Sequence, residues 1–104
     1  MKKYEIWFVS LDPTIGSEIQ KTRPCVIISP NELNYLKTRI VAPITSKGFA
    51  APYRVEFELL GKNAKILCDQ IRTVSIERFV SKICDLDNKH TKKLNEIVNV
   101  MFKI

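Results

Sequence analysis

Residues Tyr53-Arg54-Val55-Glu56-Phe57-Glu58-Leu59 alternate without a break, placing Arg54, Glu56 and Glu58 on one side and the hydrocarbon residues on the other. A two-residue period separates charge from hydrocarbon in this way only when the chain is extended, so the stretch reads as a half-buried strand. The rest of the chain up to Ile83 agrees with it. Tyr4-Glu5-Ile6-Trp7-Phe8-Val9 is rich in β-formers and runs into the turn residues Leu11-Asp12-Pro13-Thr14. Cys25 to Ser29 reads as a second strand closed by Pro30-Asn31, and Thr38 to Ile44 as a third, with Pro43 marking an edge or a bulge. Ser46 to Pro52 is a loop, Gly61-Lys62-Asn63 a turn, Ala64 to Cys68 a fifth strand and Phe79 to Ile83 a sixth.

The period then changes. Leu94, Ile97, Val98, Met101 and Phe102 recur at helical spacing, with lysines, asparagines and Glu96 between them, and Asp87 or Asn88 is a fitting N-cap. Short strands followed by one amphipathic helix predict a mainly β fold: a small, strongly bent barrel or two-sheet sandwich with the helix packed against it. At 104 residues and 45% hydrophobic content, residues 1–104 fit a single domain with one core. No apolar run approaches the ~18 residues of a membrane span, and the chain is expected to be soluble and cytoplasmic, without a membrane partner. Cys25, Cys68 and Cys84 are odd in number, widely spaced and set in apolar company, which predicts buried free thiols.

Several chemistries lack their parts. With His90 as the single histidine, the chain cannot assemble a paired-histidine ribonuclease or a serine triad, and no histidine cluster suggests a zinc site. There is no Walker loop, no Gly-x-Gly-x-x-Gly and no carboxylate cluster of two-metal type, so no metal or cofactor is predicted. The net charge of +6 favours a polyanionic partner, either RNA or an acidic protein segment. One polar segment stands out, residues 16–24, which ends in Thr22-Arg23-Pro24 directly before the apolar run Cys25-Val26-Ile27-Ile28 and so sets a permanent charge at the mouth of a strand.

These residues carry a resemblance. Glu5-Ile6-Trp7 leading to Leu11-Asp12-Pro13-Thr14, then Gly16-Ser17-Glu18, Lys21-Thr22-Arg23-Pro24, Pro43-Ile44-Thr45 and Asp69-Gln70-Ile71-Arg72-Thr73, in that order, resemble the MazF/PemK/Kid toxins of bacterial toxin–antitoxin systems. The resemblance implies an SH3-like or CcdB-like barrel of six to seven strands with a C-terminal helix. It also implies a homodimeric, metal-independent endoribonuclease cutting single-stranded RNA, mostly mRNA, through attack of the 2′-hydroxyl. The partner it implies is an antitoxin with an acidic, disordered tail.

Carried over position by position, the resemblance makes Arg23 and Thr45 the catalytic pair. Arg23 would hold the charge that builds on phosphorus, and Thr45 would hydrogen-bond the scissile phosphate or the nucleophile. Glu18 and Asp69 match groove positions and are the remaining candidates for a proton acceptor, although Asp69 could instead orient Arg72 or nearby backbone. The PemK/Kid branch often has a basic residue two positions before that aspartate, where this chain has Leu67. Ser17, Gln20, Lys21, Thr22, Ser46 and Lys47 supply donors for phosphates and base edges on two loops, residues 16–24 and 45–53, expected to face each other across a channel. Phe49 or Tyr53 could stack a base. A basic barrel that binds RNA or an acidic peptide without cutting is the alternative, against which the intact Arg23 and Thr45 argue.

Overall fold

The computed structural model describes every residue except Gln20 and Ile104, and the described residues form seven strands, one α-helix and three short 3-10 turns. The hub is β3 (Thr38–Thr45), which meets different neighbours along its length. Its first half pairs with β6 (Arg72–Ser75), Arg39 opposite Val74, and its end with β5 (Lys62–Leu67), Ile44 opposite Ile66. Its other edge pairs with β2 (Thr22–Ile27), Cys25 opposite Pro43. Pro43 falls where β3 passes from β6 to β5, an interruption of the ladder that suits a residue without an N–H.

The antiparallel order is β4-β5-β3-β2-β1-β7, with β6 alongside β3. In it β1 is Glu5–Ser10, β4 is Arg54–Leu59 and β7 is Phe79–Asp85. Two register shifts between β1 and β7, at Ile6/Trp7 and Phe8/Val9, are of the kind that bend a strand, and the sheet curls into a half-barrel.

Three expectations are corrected. β2 begins at Thr22 and not at Cys25, because β1 continues to Ser10 and pairs Val9 with Arg23 and Ser10 with Thr22. Arg72–Ser75 is a strand that the sequence reading lacked, held by β3. The β4–β5 turn is Leu60-Gly61, one residue earlier than expected. Leu59 pairs with Lys62, and both turn residues have positive φ, 52° and 78°, as the primed two-residue hairpin requires.

Alternation along the central strands divides the core. Ile6, Val26, Ile44, Val55 and Ile66 form one cluster, while Val9, Leu11, Cys25, Ile27 and Val41 form a second on the opposite face. The helix α1 (Asn88–Met101) covers the first cluster with Leu94, Ile97, Val98 and Met101. Asp87 is its N-cap, accepting the His90 N–H, and it also sits 2.7 Å from His90 Nδ1, so that histidine is half-buried at the helix start. Phe102 lies past the helix end and is exposed instead of continuing the apolar face. Trp7 and Phe79 close the second cluster edge to face, ring centroids 5.8 Å apart.

Glu5 ties β1 to the chain start and to β7, accepting from the Trp7 indole at 2.9 Å and pairing with the N-terminal ammonium and Lys82. Burial pushes its carboxyl up, but the indole, the Lys2 backbone, the ammonium and Lys82 outweigh this and bring it to about 2. A lowered carboxylate contributes stability that is complete above its ordinary value of 4.5 and is lost as pH falls toward 2. Urea unfolding is therefore expected to show the wild type losing its advantage over Glu5→Gln between those pH values. An advantage equal at pH 7 and pH 2 would contradict the network.

Candidate active site

The segment joining β1 to β2 is polar, yet it is held at four places. At its base the Leu11 N–H donates to the Lys21 carbonyl and the Lys21 N–H to Asp12 Oδ1, both at 3.0 Å, with Lys21 in the left-handed region at φ 70°. At its tip the Ile15 N–H donates to Glu18 Oε1 at 2.7 Å across Gly16, whose φ of +60° suits glycine. The Ile19 N–H donates to Gln70 Oε1 at 2.9 Å, and the Arg72 and Arg78 guanidiniums donate to the carbonyls of Leu11, Ser10 and Asp12. Glu18 is thus the clasp of its own loop. With Ser17, Ile19, Asp69, Gln70, Ile71 and Arg72 it lines a cleft of about 450 Å³.

The other end of the segment enters the sheet. Cys25 pairs with Pro43 and Val26 with Ala42, and Arg23 and Thr45 lie just beyond the end of that ladder on the two strands. Both line a second cavity of about 350 Å³, along with Pro24, Ser46 and the β4–β5 hairpin residues Leu59, Leu60, Lys62, Asn63 and Ala64. Leu60, 72% exposed at φ 52°, is an apolar tip on that wall. Thr45 Oγ1 accepts the Lys47 N–H at 3.1 Å. That bond uses one lone pair and leaves the hydroxyl proton to be donated into the cavity. Burial pushes the Cys25 thiol behind Arg23 up to about 12 and the Cys68 thiol up to about 11, so neither supplies a thiolate at neutral pH.

Asp69 does not orient Arg72. Arg54, whose Cα is paired with Leu67, reaches over to it with Nε on Oδ1 and Nη2 on Oδ2, each at 3.2 Å. This fork holds the Asp69 carboxyl below the ordinary carboxylate range, against the opposing effect of burial, which makes it a weaker proton acceptor. The same guanidinium donates from Nη1 to the Phe49 carbonyl at 3.3 Å and lies 4.9 Å from the centre of the Phe49 ring.

Residues 2–102 match the family described as the PemK-like, MazF-like toxin of type II toxin–antitoxin systems. The chain belongs to that family. Endoribonuclease MazF of Staphylococcus saprophyticus is 36% identical, over 96% of this chain and 89% of its own length. Endoribonuclease EndoA of Bacillus subtilis is 32% identical, over 96% and 92%. Endoribonuclease PemK of Escherichia coli is 41% identical over 74% of this chain, which spans 62% of that protein's length. Among solved structures, MazF from Deinococcus radiodurans shares the fold with a TM-score of 0.86 at 18% identity, covering 100% of this chain and 97% of the other. A MazE–MazF structure from the same organism does so at 0.79 and 15%, covering 100% and 96%.

Within this member of the PemK/MazF family the structure groups the expected site residues in two places. Ser17, Glu18 and Asp69 meet in the first cleft; Arg23, Thr45 and Ser46 meet in the second. Lys21, Thr22 and Lys47 are exposed beside them, and Gln20 lies outside the described residues. The two loops share one cavity, which Arg23 and Pro24 line with Thr45 and Ser46. Residues 17–19 line the first cleft with Asp69 and Gln70, and Arg23 lines the second with the β4–β5 hairpin. Arg54, Gln70, Leu60, Lys62 and Asn63 are the site residues that sequence reasoning missed. The shift of the hairpin turn to Leu60-Gly61 is what brings the last three into the wall.

Proposed function

We propose that this toxin is a metal-independent, sequence-specific endoribonuclease that cuts single-stranded mRNA, acting as a homodimer in the cytoplasm and neutralised by a cognate antitoxin with an acidic tail. The observation that carries the reading is the placement of Arg23 and Thr45 on neighbouring strands in the wall of one cavity. The relatives' names as endoribonucleases support it, and a net charge of +6 suits both a phosphate backbone and an acidic tail.

In the reaction the ribose 2′-oxygen forms a bond to the adjacent phosphorus and the bond from phosphorus to the 5′-oxygen breaks, leaving a 2′,3′-cyclic phosphate and a 5′-hydroxyl. One proton leaves the 2′-hydroxyl and one reaches the departing oxygen. Arg23 presents a planar fork to the non-bridging oxygens, where negative charge accumulates, and stays charged at any working pH. Thr45 donates its hydroxyl proton to the same phosphoryl group, its oxygen fixed by the Lys47 N–H. Asp69, committed to Arg54, is a positioning group in this scheme.

Purified protein incubated with long single-stranded RNA in EDTA is expected to cut at short defined sequences and leave cyclic phosphate termini. Uncut RNA, or 3′-hydroxyl products, would end the reading. Thr45→Val, which keeps the shape and removes the hydroxyl, is expected to slow cleavage about tenfold, the scale of one lost transition-state hydrogen bond. Thr45→Ser is expected to recover most of that rate.

A further inference from the structure

Phe49 is 71% exposed, on a loop that leads away from Thr45, and exposed phenylalanines on loops normally gain nothing by being held still. This one is held. The half-buried Arg54 guanidinium lies against it 4.9 Å from the ring centre and binds the Phe49 carbonyl at 3.3 Å, while Asp69 fixes that guanidinium through two bonds of 3.2 Å. A cation beneath a ring fills one face and leaves the other open. Tyr53, at 44% exposure, has no such cation beneath it among the described residues. We infer that Phe49, backed by Arg54 and Asp69, is a preformed stacking platform for an unpaired nucleic-acid base flanking the cleaved bond.

Three considerations support an RNA base as the occupant. An unstacked base offers a flat π-face that an aromatic ring on a rigid support binds without reading its edge. Lys47 and Ser46, exposed on the same loop, offer donors for the phosphates of that strand. Phe49 lies four positions after Thr45, a reach of at most about 14 Å, which keeps the base near the reacting phosphate. Arg54 is then a positioning residue: it touches no reacting atom and acts by holding the ring.

The inference rests on the proposed strand-cleaving function, so its test separates the two. The probes are a fluorescent single-stranded 2′-deoxy oligonucleotide of mixed sequence, which binds without offering a 2′-hydroxyl, and a strand of equal length whose bases are replaced by abasic sites. Phe49→Ala is expected to weaken binding of the base-bearing strand about tenfold and of the abasic strand not at all. Phe49→Trp is expected to restore it. Arg54→Lys, which keeps the charge and loses the fork, is expected to give part of the same base-dependent loss with the thermal midpoint little changed.

Equal losses on both strands would overturn the platform, as would a wild type indifferent to the bases. A Phe49→Ala protein that binds strands normally but escapes inhibition by a partner protein would assign the ring to a peptide instead. Base-dependent binding without cleavage of RNA in EDTA would end the endoribonuclease reading and leave the platform standing. Cleavage with no base-dependent effect of Phe49 would end the platform alone.

Discussion

Arg23→Ala is expected to slow single-turnover RNA cleavage by roughly a hundredfold or more, the loss found when a main partner of transition-state charge is removed. The effect belongs in kcat, because the extra charge on phosphorus exists only as the bond to the 2′-oxygen forms. Arg23→Lys is expected to fall between the two, since an ammonium supplies charge but cannot donate two parallel bonds to a phosphoryl group. Backbone pairing with Val9 and the apolar residues that follow hold the strand at Arg23, so the variant is expected to fold. Initial rates on a mapped RNA, taken together with a melting curve for each variant, make the check. Cleavage within about threefold of wild type in Arg23→Ala would refute the assignment of the charge to this residue.

The largest stability effect is expected at Leu94. It is the one helix residue with no exposure at all, and it joins α1 to the cluster built by Ile6, Val26, Ile44 and Phe57. Truncation to alanine loses the transfer free energy of the removed methyl groups and leaves a cavity that strands on one side and a capped helix on the other cannot easily close. A loss of about 2–5 kcal/mol follows, enough in a chain of this length to lower the melting midpoint by about 10 °C or more. Leu94→Met, nearly equal in volume, is expected to cost less than about 1.5 kcal/mol. A loss under about 1 kcal/mol in Leu94→Ala urea unfolding would show that the helix is not a principal cover of this core.

Much of the fold was legible from local pattern. The alternation in β4 is reproduced in its burial, with Val55, Phe57 and Leu59 inside and Glu56 and Glu58 outside, because one face of a strand cannot satisfy both water and hydrocarbon. The helix and its Asp87 cap were visible for the same kind of reason. Arg72–Ser75 was not visible. Only Val74 of its four residues is buried, and it is a strand because β3 offers it a ladder. Thr22-Arg23-Pro24 looked like loop for the corresponding reason, until the extension of β1 to Ser10 gave it partners.

The site divides along the same line. Residue types and their order set which chemistry was within reach: a strand-mouth guanidinium and a hydroxyl, in a family order of short motifs, with His90 as the single histidine. Residue types and their spacing are local properties, and functional groups are read from them directly. How these groups are arranged came from long-range strand pairing. Pairing of β2 with β3 brings Arg23 and Thr45 to one cavity, Arg54 reaches Asp69 across the β4–β5 hairpin, and Gln70 holds Ile19. Each of those contacts joins residues at least 15 positions apart and depends on which strands pair and in what register. Core packing and backbone hydrogen bonding settle that for the whole chain at once, and no short segment carries the information alone.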